Sequence, residues 1–409
     1  MRRQQGDDDM TKTKMRLPRR RVMLAAAAAL AAPAVVRAQP APLTLGILTP
    51  LTGAGGYDGP RMLKAMQAVA NDINAHGGLL GRQVAFVVED DQTNPEPAVR
   101  AARKLVDVDK VPAIMGTWAS AVTTAVAPVC WESKTFLTTV SGADSITRLP
   151  HQGYLIRTQP NNYLQGGKHA EFIASTGARH VFIMSIQSPF AVPTQDRVKE
   201  RLDQTGSKLV GSLIYEKDKT SYRSEVDQAL RTNPDMIYVN GYTPDVSIIL
   251  RDLYRAGYEG GRFAQSYSVT AQSVASLPKE VTEGVYTVQP SADIDSPAYA
   301  NAVKLLGVKE PDSYETQAVD WMSLVGLAIA HAKEATGTAI RDHVRRISQG
   351  SGTKVYTAVD GLALLAKGEA INYEGASGPC DFTDIGDIID CKFRYQQVKN
   401  GALVFLKVA

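Results

Sequence analysis

Short apolar runs alternate with amphipathic stretches along the chain. Leu43–Leu48 and Val84–Val88 are apolar runs of strand length. Between them, apolar residues recur at helical spacing and predict one face of a helix: Met62, Ala65, Met66, Val69 and Ile73. Because uninterrupted apolar strands are typical of parallel sheets that are covered on both faces, the pattern predicts an α/β protein.

The same alternation continues in two successive arrays of comparable length. The first has predicted strands at 43–48, 84–88, 111–115 and 135–140, and helices at 62–73, 95–107 and 120–131. After a looser stretch, 152–167, the second has strands at 181–186, 209–215, 235–239 and 263–267, and helices at 194–204, 224–231 and 246–256. Two such arrays predict two doubly wound parallel-sheet lobes.

The remaining chain is predicted to be mostly helical, with helices at 297–306, 314–334 and 340–348 before two terminal strands. We expect these helices to pack on the first lobe, so that the chain crosses between its lobes and forms a multi-segment hinge. The predicted organisation is a signal peptide at 1–38, lobe 1 at 43–157 plus 290–379, and lobe 2 at 158–289 plus 380–409.

The first 38 residues have the features of an export signal. A basic cluster, Arg16–Arg21, precedes the apolar run Val22–Ala32, and Val36-Arg37-Ala38 offers a cleavage site before Gln39. The run is too short for a transmembrane helix, which needs about 20 apolar residues. Arg19–Met23 also fits a twin-arginine signal, and the alternative is the general secretory route. We therefore predict a periplasmic protein.

Charge and motifs exclude several function classes. Of 45 Lys and Arg and 42 Asp and Glu, residues 1–38 hold nine and three, so the remainder has 36 and 39 and gives no electrostatic indication of nucleic-acid binding. Nucleophile-elbow, zinc-protease and P-loop patterns are absent, and the third glycine of a dinucleotide fingerprint is replaced by Asp58. We expect no enzyme, no metal and no cofactor. The enzymatic alternative, an exported hydrolase, would need a nucleophile–base pair.

Two turns carry polar residues where predicted strands meet predicted helices. They are Gly116–Ser120 and Val140–Ser145. Open α/β sheets bind ligands at the carboxyl ends of their strands, and a helix N-terminus can bind a carboxylate through its unpaired N–H groups. The alternative is that Ser120 and Asp144 act only as helix caps. Two such turns in successive units favour a binding site.

Two cysteines near the C-terminus predict a disulfide. Cys380 and Cys391 flank the turn Asp384–Asp387. If the turn is centred between Ile385 and Gly386, the two cysteines face each other on an antiparallel pair, close enough to bond in an oxidising compartment. The alternative is two free buried thiols. Cys130 is predicted to be a core residue.

Six segments resemble one known family. They are Leu45–Gly53, Asp72–Arg82, Glu89–Gln92, Trp118–Ser120, Asn240–Pro244 and Gly378–Asp387. In them the sequence is similar to the periplasmic leucine/isoleucine/valine-binding family, the solute receptors of ABC importers with the type I bilobal fold. The resemblance implies a ligand carboxylate held at Ser120. It implies these ligand-binding positions: Tyr57, Trp118, Ser120, Ser141, Ala143, Asp144, Phe190, Tyr242 and Tyr267.

Two of these positions depart from the family pattern. Phe190 stands where the family usually has Tyr, and Tyr267 stands where an acid pairs with the amino group of the ligand. A buried ammonium without an anion is costly. Either Asp144 supplies the missing charge or the ligand has no amino group. The five aromatic positions among them suit an apolar or aromatic small carboxylate. For two of the five, the alternative is that the side chain only packs in the core.

The resemblance implies an extracytoplasmic receptor of an ABC importer. It would close around a branched-chain or hydrophobic amino acid, or a related small carboxylate, and present it to an inner-membrane permease. We expect a monomer. The alternatives are an aromatic-acid or amide/urea receptor of the same family, and a ligand-sensing domain of a signalling system.

Overall fold

The computed structural model describes residues 40–409, and the predicted signal peptide lies outside them. Within the described residues, no helix has the length and apolar character needed to cross a membrane. The chain forms two large sheets, each covered by helices, and one small two-stranded sheet.

The first sheet has five parallel strands in the order β2-β1-β3-β4-β5. They are β1 Leu43–Thr49, β2 Val84–Asp90, β3 Ala113–Gly116, β4 Phe136–Thr139 and β5 Leu155–Arg157. The early helices are α1 Gly59–Ala75, α2 Pro95–Arg103, which continues as a π-helix over Lys104–Val108, and α3 Ser120–Glu132. The apolar positions predicted on α1 are all buried in the core. This sheet and its helices are the first lobe.

The second sheet has seven strands in the order β14-β13-β10-β9-β8-β6-β7. They are β6 His180–Ile186, β7 Lys208–Tyr215, β8 Met236–Asn240, β9 Gly261–Gln265, β10 Tyr286–Ser291, β13 Lys392–Lys399 and β14 Ala402–Val408. Its helices are α4 Asn162–Ser175, α5 Ala191–Leu202, α6 Arg223–Leu230, α7 Thr243–Arg255, α8 Ala271–Ser276 and α9 Lys279–Thr282. Only β13 and β14 run antiparallel to their neighbours. This sheet and its helices are the second lobe.

The chain passes between the two sheets three times, at 158–161, 292–296 and 390–391. The segment between the last two passages holds α10 Pro297–Leu306, α11 Ser313–Ala332, α12 Gly337–Ser348 and α13 Ala358–Ala366, with β11 Thr353–Val355 pairing β12 Ile371–Tyr373. Apolar residues of α11 and α12 join the core of the first lobe, as predicted for the late helices. Three short connections form the multi-segment hinge.

The structure does not confirm the predicted disulfide, because Cys130, Cys380 and Cys391 are all free thiols. Phe382 pairs with Ile388, and the Ile389 N–H donates to the Asp381 carbonyl at 3.0 Å. This register differs by one residue from the one we predicted and places Cys380 opposite Asp390. A one-residue slip turns a side chain to the other face of the pair.

The hairpin that carries these residues packs on the first lobe, although the sequence placed 380–389 with lobe 2. Phe382 and Ile388 lie in the first lobe's core, and the Arg157 N–H donates to the Gly386 carbonyl at 2.9 Å.

Candidate functional site

A cavity of about 30 Å³ lies where the carboxyl ends of the two sheets face each other. We call it the cleft. The first lobe contributes Trp118, Ala119, Ser120, Val140, Gly142, Gln159 and Tyr314, and the second contributes Phe190, Tyr242 and Tyr267. An apolar cavity that holds benzene has a volume of about 150 Å³. A ligand of that size therefore needs the lobes or their aromatic side chains to move apart before it can bind.

The N-terminus of α3 lies at the cleft. Ala119 is its N-cap and Ser120 its first residue, and no side chain caps the helix. The backbone N–H of Ala143 donates to Ser120 Oγ at 3.3 Å, which leaves the hydroxyl proton of Ser120 for an acceptor in the cleft. The α3 terminus therefore offers N–H groups, a hydroxyl and the positive end of a helix dipole to an anion.

Ser141 faces its own lobe rather than the cleft. Its hydroxyl donates to the Trp118 carbonyl at 2.9 Å and contacts the Thr123 hydroxyl, and its N–H donates to Thr139 Oγ1 at 3.0 Å. Of the turn Val140–Ser145, only Val140 and Gly142 line the cleft. The other residues support the turn rather than line the cavity.

Arg157 holds this turn in place from inside the first lobe. Its guanidinium donates to the carbonyls of Ser141 and Ala143 at 3.2 and 2.7 Å, and to Asp387 Oδ1 at 2.6 Å. The arginine is fully buried. The backbone beside Ser120 therefore depends on an ion pair from the hairpin after β12.

Asp144 does not line the cleft. Its N–H donates to Asn162 Oδ1 at 2.9 Å, and the Asn162 side chain donates in turn to the Phe190 carbonyl at 2.7 Å. This connection ties the first lobe to α4 and α5 of the second. The geometry therefore gives no support to Asp144 as the anion that replaces the family's acid at Tyr267.

Four aromatic rings from both lobes pack together at the cleft. The Trp118 ring centroid lies 5.4 Å from Tyr242, 5.5 Å from Tyr267 and 6.1 Å from Tyr314. Burial raises the pKa of Tyr242 to about 12 and raises that of Tyr267 well above its ordinary value. Both phenols are therefore neutral, and this wall of the cleft is uncharged.

Tyr57 lies on a neighbouring cavity of about 140 Å³ that we call the polar chamber. Tyr267 and Tyr314 line both cavities and separate them. The predicted positions Trp118, Ser120, Phe190, Tyr242 and Tyr267 thus meet at the cleft, whereas Tyr57, Ser141, Ala143 and Asp144 lie outside its lining.

Sequence reasoning missed Gln159 and Tyr314. Gln159 follows β5, and its Oε1 accepts from Gln317 Nε2 at 2.8 Å. Its place at the end of a first-lobe strand was a usable signal, but 152–167 lacked a clear pattern. Tyr314 lies in the first turn of α11, which sequence alone could place only as a late helix.

Asp91 is a fully buried acid just after β2. Its pKa is raised to about 7, mainly by burial and further by the Asp90 charge. A 2.7 Å hydrogen bond from the Thr93 N–H lowers the pKa but does not cancel the rise. Its other oxygen, Oδ2, has no hydrogen-bond partner among residues 40–409. Its charge also contributes to the raised pKa of Tyr242, so it acts on the cleft.

We expect Asp91→Asn to change how stability depends on pH. Because the folded pKa of Asp91 lies above its ordinary 3.8, its stabilising contribution is complete below about pH 4 and is lost as the pH rises through about 7. Between pH 5 and 7 the free energy of unfolding of the wild type should fall by about 1 kcal/mol per pH unit. The Asp91→Asn variant should not show this fall. Urea unfolding at each pH measures the two slopes, and parallel slopes would show that Asp91 titrates normally.

Comparisons with known proteins agree with the two-lobed fold. A family model described as "Periplasmic binding protein" matches residues 42–402. The chemotactic signal transduction system substrate-binding protein BasB of Halobacterium salinarum is 28% identical over 355 residues, 84% of each chain.

Two solved structures have the same architecture. The leucine-binding protein LivK of Thermotoga maritima matches with a TM-score of 0.77 at 22% identity, over 90% of this chain and 98% of its own. An ABC transporter solute-binding protein of R. palustris, solved in complex with benzoate, matches with a TM-score of 0.74 at 18% identity, over 90% and 96%. These matches and the two sheets confirm the predicted fold class.

Proposed function

Because the chain belongs to the periplasmic binding protein family, in its Leu/Ile/Val-binding type, we propose that it binds a small carboxylate between its lobes and delivers it to an ABC permease. The observation that carries the proposal is the uncapped start of α3, which opens on a cleft that both lobes line. The ligand's carboxylate binds the N–H groups of α3 and the Ser120 hydroxyl, and its apolar part lies against Trp118, Tyr242 and Tyr267.

The lining favours a hydrophobic or aromatic carboxylate. Leucine and benzoate, named for the two structural relatives, represent the two ligand classes. The acid that would pair with an α-amino group is replaced by neutral Tyr267. The protein works as an exported monomer without performing chemistry.

A thermal-shift panel of the mature protein tests this proposal. The panel holds amino acids, aromatic acids, amides and ureas, and a ligand that binds only the folded state raises the melting temperature. We expect a carboxylate to give the largest shift. A panel in which only uncharged amides or ureas act would contradict the proposal.

Ser120→Ala should weaken carboxylate binding by about 10- to 100-fold, because a hydrogen bond to a charged group contributes about 1.5–3 kcal/mol. Ser133→Ala, at the opposite end of α3, is the matched control and should leave affinity unchanged. Isothermal titration calorimetry measures both. Equal affinity of the Ser120 variant and the wild type would show that the carboxylate does not bind at the start of α3.

A second candidate is ligand sensing for a signalling system, which the name of the Halobacterium salinarum relative favours. Deletion of the gene distinguishes the two. Loss of ligand uptake supports transport, and loss of the tactic response with uptake intact supports sensing.

A further inference from the structure

The polar chamber beside the cleft is lined by charged residues of both lobes. Asp58, Arg61 and Asp312 come from the first lobe, and Arg394 comes from β13 of the second. Its volume of about 140 Å³ is larger than that of the cleft, from which Tyr267 and Tyr314 separate it. A ligand that extends past these two tyrosines therefore reaches the chamber.

Both arginines of the chamber already have carboxylate partners. Arg61 pairs with Asp312 and, at 2.7 Å, with Glu315. Arg394 Nη2 lies 2.9 Å from Glu310 Oε2. No positive charge is therefore left over among these lining residues to neutralise a further acid.

Asp58 is that further acid. It is 4% exposed and lines the chamber, yet its carboxylate makes no hydrogen bond or ion pair within the described part of the chain. It stands at the N-cap position of α1 but does not cap the helix. Burial raises its pKa well above the ordinary range, the Asp312 charge raises it further, and Arg61 opposes the rise. A buried carboxylate without a partner is costly, and a bound cation would remove that cost.

We propose that Asp58 binds a cationic group of the ligand, so that the ligand is a carboxylate with an ammonium group several bonds away. The inference rests on the proposed carboxylate site at α3. An α-ammonium would stay beside its carboxylate in the cleft, whereas a distant ammonium would reach past Tyr267 and Tyr314, which line both cavities. The face of an aromatic ring attracts a cation.

Two pairs of probes with equal numbers of non-hydrogen atoms test the charge requirement. The aliphatic pair is 5-aminopentanoate and hexanoate, and the aromatic pair is 4-(aminomethyl)benzoate and 4-ethylbenzoate. The two probes of a pair differ only in that one ends in an ammonium group and the other ends in a methyl group. By calorimetry, the wild type should bind the ammonium probe of at least one pair about 10- to 100-fold more tightly than its neutral partner, as expected for one charge-assisted hydrogen bond.

Asp58→Asn should abolish this preference and leave the affinity for the neutral acids nearly unchanged. The variant keeps the shape of the side chain and removes no described hydrogen bond. Glu280→Gln, an exposed position on α9, makes the same change in net charge and should keep the preference. If the Asp58→Asn variant does not fold, the comparison of probes on the wild type still decides.

The outcomes separate the two proposals. Tighter binding of the neutral acids by the wild type, or a preference that survives in Asp58→Asn, overturns the cation site and leaves the proposed function standing. A wild type that binds no carboxylate of either pair or of the panel overturns both.

Discussion

Replacing Arg157 with methionine should lower the free energy of unfolding by about 3–5 kcal/mol, the usual cost of removing one partner from a buried ion pair. Arg157 is fully buried, and its partner Asp387 would keep its charge without a guanidinium at 2.6 Å. The carbonyls of Ser141 and Ala143 would lose their donor as well. Because these hydrogen bonds hold the turn beside Ser120, the variant should also bind ligand more weakly.

Urea unfolding measures the effect, and two further variants identify its cause. Arg157→Met with Asp387→Asn should recover part of the loss, since no unpaired charge remains. Arg341→Met removes the partner of Asp342 in a more exposed pair and should cost at most about 1 kcal/mol. If Arg157→Met cost no more than Arg341→Met, the buried pair would not be holding the turn.

Gly142→Ala should weaken ligand binding by about 100-fold without destabilising either lobe. A Cβ at this position would lie 2.6 Å from Phe190 Cε2 and 2.7 Å from Gln165 Nε2, both on the second lobe. The φ angle of Gly142 is not in the left-handed region, so alanine fits the backbone of its own turn. The added methyl group therefore obstructs only the approach of the second lobe. Each 1.4 kcal/mol by which it makes closure of the lobes less favourable weakens binding tenfold.

Gly167→Ala is the matched control, because a Cβ there meets nothing within 4 Å. It lies within α4 and should, if anything, stabilise the protein. The loss caused by Gly142→Ala should be smaller in a Phe190→Ala background, where the ring no longer blocks the methyl group. Unchanged calorimetric affinity of Gly142→Ala would mean that the lobes do not meet at this glycine when ligand binds.

The sequence predicted the lobes and part of the cleft because these depend on local patterns. Apolar periodicity located α1 and β1, and the turn after β3 identified Trp118 and Ser120, which line the cleft. The helix α4 was not predicted at all, because Gly166 and Gly167 interrupt its pattern.

The remaining site residues depend on distant contacts that no local pattern contains. Ser141 turns inward because its hydroxyl donates to the Trp118 carbonyl and contacts the Thr123 hydroxyl, both of which belong to another segment. The Cys380 register was wrong by one residue, because the turn between the strands has more than one possible centre. Asp58 was noticed only as a glycine replacement, since its isolation depends on where Arg61 pairs.

The central claim is that the lobes close on a carboxylate bound at the start of α3. A crystal structure of the mature protein with the tightest-binding carboxylate of the panel tests it most directly. We predict a carboxylate oxygen within about 2.7–3.2 Å of Ser120 Oγ or of an N–H group in the first turn of α3, with Trp118 and Tyr242 against the rest of the ligand. A ligand whose carboxylate lies elsewhere, or that binds to one lobe alone, would contradict the account.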